Sequence, residues 1–169
     1  MTPKQLIFLL VSAGIVILPA TSFGLSDDSQ QPIQVEADTA EFNDKTGISI
    51  YRGKVRVTQG SMVLKGDYVT VVAPDRKLRK ITSKGKPTTF HQLTDEGESI
   101  DAESEYMEYN TTVNKIILLK KATLQQGKNS FSSERIEYNI LTKIVDAGDP
   151  KSGDRVKMTI MPNTINTAP

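Results

Sequence analysis

The stretch IQVEADTAEFN, Ile33 to Asn43, returns as IDAESEYMEYN at Ile100 to Asn110, an offset of 67 residues. The match continues well past these words without a gap. Ile50 meets Ile117, Lys54 meets Lys121, and the pair Gln59-Gly60 meets Gln126-Gly127. Self-similarity at one fixed offset marks an internal repeat, so one supersecondary unit is used twice.

The unit reads as strands. In Ile33 to Asp38 the odd positions are apolar and the even ones polar, and Tyr51 to Val57 sets small or apolar residues between basic ones. Alternation of period 2 indicates strands with one face buried. Met62, Leu64 and Gly66 share a face, as do Val69 and Val71. Gln59-Gly60, Pro74-Asp75 and Asp95-Glu96-Gly97 mark turns, and Lys86-Pro87 is expected to break the strand before it. Thr88 to Leu93 is strand-like, and Arg155 to Met161 is expected to form the last strand. Gly53, small within an inward row, marks a bulge or a close backbone approach.

Core-type residues recur at matched positions in the two copies: Tyr51 with Leu118, Val55 with Ala122, Val57 with Leu124, Leu64 with Phe131, Val69 with Ile136, Val71 with Tyr138. A one-residue slip would turn a strand inside out, so both copies are expected to bury the same face. Short strands separated by regular turns argue for an all-β sandwich or roll.

Segments outside this unit bound the domain. Leu6 to Leu18 (LIFLLVSAGIVIL) is apolar, follows Lys4, and precedes Ser22 and Gly24. At about 20 residues for a membrane span it is short, so residues 1–24 read as a cleaved signal peptide; an uncleaved anchor is the alternative. Residues 25–31 read as a flexible linker, 32–162 as the folded domain and 163–169 as a disordered tail. The chain has no cysteine, which fits an exported bacterial domain better than a disulfide-dense secreted one. With 21 basic against 20 acidic residues, nothing overall points to nucleic acid as a partner.

Catalytic sets are sparse. Without cysteine there is no thiolate nucleophile or thiolate metal site, and His91 is the single histidine. A Ser-His-Asp set around His91 has no nucleophile-elbow motif beside it. Glu36, Asp38 and Glu41 recur as Glu103, Glu105 and Glu108, and paired carboxylates can cleave glycosides at the right separation. Their alternation with apolar residues instead fits a solvated outer face. Arg76-Lys77-Leu78-Arg79-Lys80, with Lys84 and Lys86 behind it, could hold phosphate, or could be a charged strand that discourages edge pairing.

Three segments carry a resemblance. They are Ile33-x-Val35-Glu36-Ala37-Asp38, Tyr51-x-Gly53-x-Val55-x-Val57-x-Gln59-Gly60, and Leu64-x-Gly66-Asp67-x-Val69-x-Val71. With Gly85 to Gln92, they resemble the OstA-like family over about Pro32 to Pro162. Gly53-Lys54 stands where that family often has Gly-Asn.

The resemblance implies a twisted, open β-jellyroll with no catalytic residues, cofactor or metal. It implies a periplasmic carrier that takes lipopolysaccharide by its lipid A acyl chains and passes it from the inner to the outer membrane. It also implies head-to-tail stacking, and partners of the same fold: an inner-membrane transport subunit and an outer-membrane translocon. On that reading Ile33, Val35, Tyr51, Val55, Val57 and Leu64 would line the lipid path, with Val69, Phe90, Tyr109, Leu118, Leu124 and Phe131. The terminal strand, through Val156, Met158 and Ile160, would pair with an edge of the next copy by β-augmentation. The alternatives are the periplasmic domain of the inner-membrane subunit and a glycan hydrolase using Glu36 or Glu103.

Overall fold

The computed structural model describes residues 28–162; the expected signal peptide and the tail 163–169 lie outside them. Ten strands form one antiparallel sheet: β1 (Gln34–Glu36), β2 (Thr39–Asn43), β3 (Ile48–Gln59), β4 (Met62–Val72), β5 (Lys80–Leu93), β6 (Ser99–Asn110), β7 (Lys115–Gln126), β8 (Asn129–Asn139), β9 (Ile144–Ala147) and β10 (Lys157–Thr159). The order is β1-β3-β4-β5-β6-β7-β8-β10, with β2 also on β3 and β9 also on β8. From β3 to β8 each strand pairs with its sequence neighbour.

The repeat is a repeat of structure. Shifted by 67, β3 falls on β7 and β4 on β8, residue for residue. The register shift between Arg52 and Val55 recurs between Leu119 and Ala122. The gap between β1 and β2, after Glu36 and before Thr39, recurs as the shift in β6 between Glu103 and Tyr106. Gly47 at φ 64 matches Asn114 at φ 51, and Arg76 at φ 59 matches Lys143 at φ 57.

Every central strand carries such an irregularity at mid-length, and together they make a line across the sheet. Bulges bend strands and increase twist. The bend here is large. Phe90 pairs with Ala102 and Ile81 pairs with Tyr109, nine residues apart along β5. In a straight strand that is about 30 Å. Yet the Phe90 and Tyr109 rings lie edge to face with centroids 5.2 Å apart. Likewise the Ser83 and Thr88 hydroxyls, five residues apart, are 2.5 Å apart. The sheet therefore folds over along the bulge line into two facing layers, with each of β3 to β8 contributing one half to each layer.

At two positions of the fold in the first copy a side chain would collide. Gly53, at φ 80, would drive a Cβ into the Asp38 carboxylate, so the close approach expected there is present. A Cβ on Gly66 would meet the Ser83 hydroxyl. Between the layers lies one core, to which Val57, Leu64, Val69, Ile81, Ile100, Met107, Ile116, Leu118 and Ile136 contribute fully buried side chains.

Two strand expectations need correction. Lys86-Pro87 does not end a strand: β5 runs unbroken from Lys80 to Leu93, with its register shift between Lys84 and Thr88. A bulge interrupts alternation as a turn would, and the ladder resumes beyond it. The last strand is shorter than Arg155 to Met161, pairing with β8 only over Lys157 to Thr159. Lys80 to Lys86 also lie on a central strand, so they guard no sheet edge.

The outer face carries ion pairs between neighbouring strands. Glu137 of β8 accepts from Lys115 of β7 at 3.0 Å, and also from Arg135 two residues back on its own strand. The Lys115 hydrogen bond, with the nearby Arg135 charge, holds the Glu137 carboxyl below the usual range. A depressed carboxyl adds stability above its unfolded pKa, and that stability disappears as pH falls through the folded value. Glu137→Gln is expected to flatten the acid limb of urea-melt stability below about pH 4.5 and to cost about 1 kcal/mol or less at pH 7.

Candidate functional site

The interior between the layers is built by β1 and by β3 to β9 together. Of the twelve residues expected to line it, Val55, Val57, Leu64, Val69, Phe90, Tyr109, Leu118 and Leu124 are fully buried and pack against one another. Burial pushes the Tyr109 hydroxyl up to about 12. Ile33, Val35, Tyr51 and Phe131 are half-buried at the margins of that core.

The margin opens at the N-terminal end. A cavity of about 1220 Å³ lies between the layers there, larger than the usual small-ligand site. Ile33, Val35, Tyr51, Val71, Leu78 and Phe42 give it apolar walls, and Asp44, Asp75, Arg76 and Lys77 stand around it. Thus three of the expected lining residues meet at one site. Leu124 and Phe131 instead line a recess of about 350 Å³ at the other end, beside Met158.

Phe42 and Leu78 escape a reading by alternation. The inward parity is odd at Ile33 and Val35 but even at Phe42, because the break between Glu36 and Thr39 switches the face. Leu78 lies in the connection after the 3₁₀ turn Pro74–Arg76, with no period to follow.

Part of the mouth is closed by the stretch expected as linker. Asp28 is 3% exposed. Its carboxylate accepts from the Ser61 backbone N–H and hydroxyl, each at 2.6 Å, and from Gln92 Nε2 at 3.0 Å. Gln59 Nε2 donates to the carbonyls of Gln31 at 3.1 Å and Ser29 at 3.4 Å. Gly60, at φ 58, leaves the room that the Asp28 carboxylate occupies. Sequence gave no signal for this seat, since Asp28 has no periodic neighbours. Asp28→Ala strands these donors in a buried place and is expected to lower urea-melt stability by about 2–3 kcal/mol. Asp28→Asn, which keeps an acceptor, should lose less.

The catalytic alternatives find no support in the geometry. Glu36 and Glu103 are exposed on β1 and β6, four strand positions apart. At ordinary spacing that is about 19 Å, against roughly 5–9.5 Å for a glycosidase pair. His91 Nδ1 lies 2.7 Å from Asp101 Oδ1, with both side chains nearly half exposed. Among the described residues no hydroxyl is hydrogen-bonded to that ring. No group of three metal-ligating side chains occurs among them either.

A single antiparallel sheet, folded along a bulge line over an apolar interior that opens at one end, defines an open β-jellyroll built around an apolar slot. Residues 34–144 match the family described as LptA/(LptD N-terminal domain) LPS transport protein, and the chain belongs to that family. It is 35% identical over 149 residues to the lipopolysaccharide export system protein LptH of Pseudomonas aeruginosa, covering 83% of this chain and 85% of that protein. It is 27% identical over 166 residues to LptA of Escherichia coli K12, covering 97% and 89%. The crystal structure of LptH, the LptA-homologous periplasmic component of the lipopolysaccharide transport device in P. aeruginosa, superposes with a TM-score of 0.71 at 36% identity. That match covers 80% of this chain and 99% of that one.

Proposed function

We propose that this protein is a non-enzymatic periplasmic carrier that takes lipopolysaccharide by its acyl chains and hands it from the inner towards the outer membrane. The observation that carries this reading is the cavity walled by Ile33, Val35 and Tyr51, continuous with the apolar core and open at one end. Acyl chains suit such walls, since each buried CH₂ contributes roughly 0.8 kcal/mol. Residues 1–24 serve as the export signal. The family membership and the periplasmic relative support the setting.

The carrier works in head-to-tail copies, with the inner-membrane subunit and outer-membrane translocon of the same fold at the two ends of the row. The sheet supports this by ending in two unlike apolar edges. Phe42 and Ile48 are exposed at the β2 and β3 end, while Ile144, Val156, Met158 and Ile160 are exposed at the β9 and β10 end. Among the described residues β10 pairs with β8 alone, which leaves its other side for an edge strand of the next copy. Contact between unlike ends propagates instead of closing. Purified protein should bind lipopolysaccharide in an isothermal titration and form concentration-dependent oligomers in sedimentation. The pair Met158→Asp and Ile160→Asp should leave lipid binding intact and hold the protein monomeric. A folded wild type that binds no lipopolysaccharide contradicts the carrier reading.

A further inference from the structure

The repeat supplies an internal control for the rim of the interior. In the second copy Lys143, in the turn after β8, reaches across the mouth to Glu96 at 3.4 Å and Glu98 at 3.9 Å. The Thr94 hydroxyl and Lys143 hold the Glu96 carboxyl below its usual range. This contact ties the rim of one layer to the rim of the other. Shifted back by 67, the three positions are Arg76, Ser29 and Gln31. Arg76 keeps the left-handed turn conformation of Lys143. The two carboxylates, however, are replaced by a hydroxyl and an amide.

Ser29, Gln31, Arg76 and Lys77 all line the large cavity. Among the described residues neither Arg76 nor Lys77 has a carboxylate within ion-pair distance. Asp44 and Asp75 also face the cavity, so its lining carries two carboxylates and two cations, with neither cation in an ion pair among the described residues. The first copy thus presents a cation where the second has a closed ion pair.

An amphiphile with its chains between the layers must place its head at this rim. A phosphate monoester brings a charge of about −1.5 to −2 and three acceptor oxygens, and the guanidinium fork matches such oxygens in pairs. We propose that Arg76 and Lys77 form a phosphate subsite that seats the phosphorylated head of the amphiphile whose chains fill the cavity. This rests on the carrier reading and deepens it, by giving the open end a preference for anionic lipid heads.

The test measures binding of lipid A, of dephosphorylated lipid A, and of lipid A in competition with inorganic phosphate. Wild type should bind the phosphorylated form about tenfold tighter. Arg76→Gln with Lys77→Gln should erase that preference and leave binding of the dephosphorylated form unchanged. Ser29→Glu with Gln31→Glu, which installs the second copy's carboxylates opposite Arg76, should erase it too. Arg56→Gln, on the outer face, should keep it. Equal wild-type affinity for the two lipids overturns the subsite and leaves the carrier reading standing. Binding of neither lipid overturns both. Displacement of lipid A by equimolar inorganic phosphate overturns the assignment to a lipid head.

Discussion

Phe90→Ala is expected to lower the stability of the folded protein by about 3–5 kcal/mol, the range for deleting a buried aromatic ring. Phe90 is 2% exposed, pairs with Leu64 and Ala102 on neighbouring strands, and meets Tyr109 edge to face across the fold. The ring contact adds about 0.5–1.5 kcal/mol beyond burial. It also pins one layer to the other, which flanking ladder bonds cannot do. Total stabilities of about 5–15 kcal/mol make this a large fraction. Urea melts followed by circular dichroism read the effect. Phe42→Ala removes a ring that is 66% exposed and should stay within about 0.5 kcal/mol of wild type. Equal costs at the two positions would contradict the folded-over arrangement.

Val35→Asp is expected to lower lipopolysaccharide affinity about 100-fold or more while the protein still folds. Val35 is half-buried, lines the large cavity, and sits opposite Val57 in β1. A carboxylate there must either lose its water when chains enter or hold water in their path, and desolvating an unpaired charge costs several kcal/mol. Folding should survive because β1 is a three-residue strand at the sheet edge, and β3 keeps its ladder with β4. Gln34→Asp, one residue away on the exposed face, should bind as wild type does. Calorimetry for affinity and circular dichroism for the fold check both halves.

The repeat made much of this legible. Comparing like with like at 67 residues carried the facing of Leu64 and Val69 through to Phe131 and Ile136, although alternation alone fails between them at Gly66-Asp67. Gly53 announced its bulge because a strand interior rarely has use for glycine. The fold-over itself was not legible. A bulge and a turn interrupt alternation in the same way, so β5 read as two strands around Lys86-Pro87. The site was legible in its walls at Ile33, Val35 and Tyr51 but not in its extent. Phe42 and Leu78 lie beyond a face switch and in a connection, and Asp28 acts through contacts 33 and 64 residues away in sequence.

The most direct measurement of lipid passage is photo-crosslinking in cells, with the photoreactive side chain placed at Val35, Tyr51 and Phe131. These positions are half-buried, so a bulky probe fits where Phe90 or Leu124 would not tolerate it. Glu36 and Arg56, on the opposite face of the same strands, are the controls. Lipopolysaccharide adducts at the inward positions and not at the controls are the expected result. Adducts at none of these positions in exported, folded protein, or equally at all of them, would contradict a lipid path between the layers.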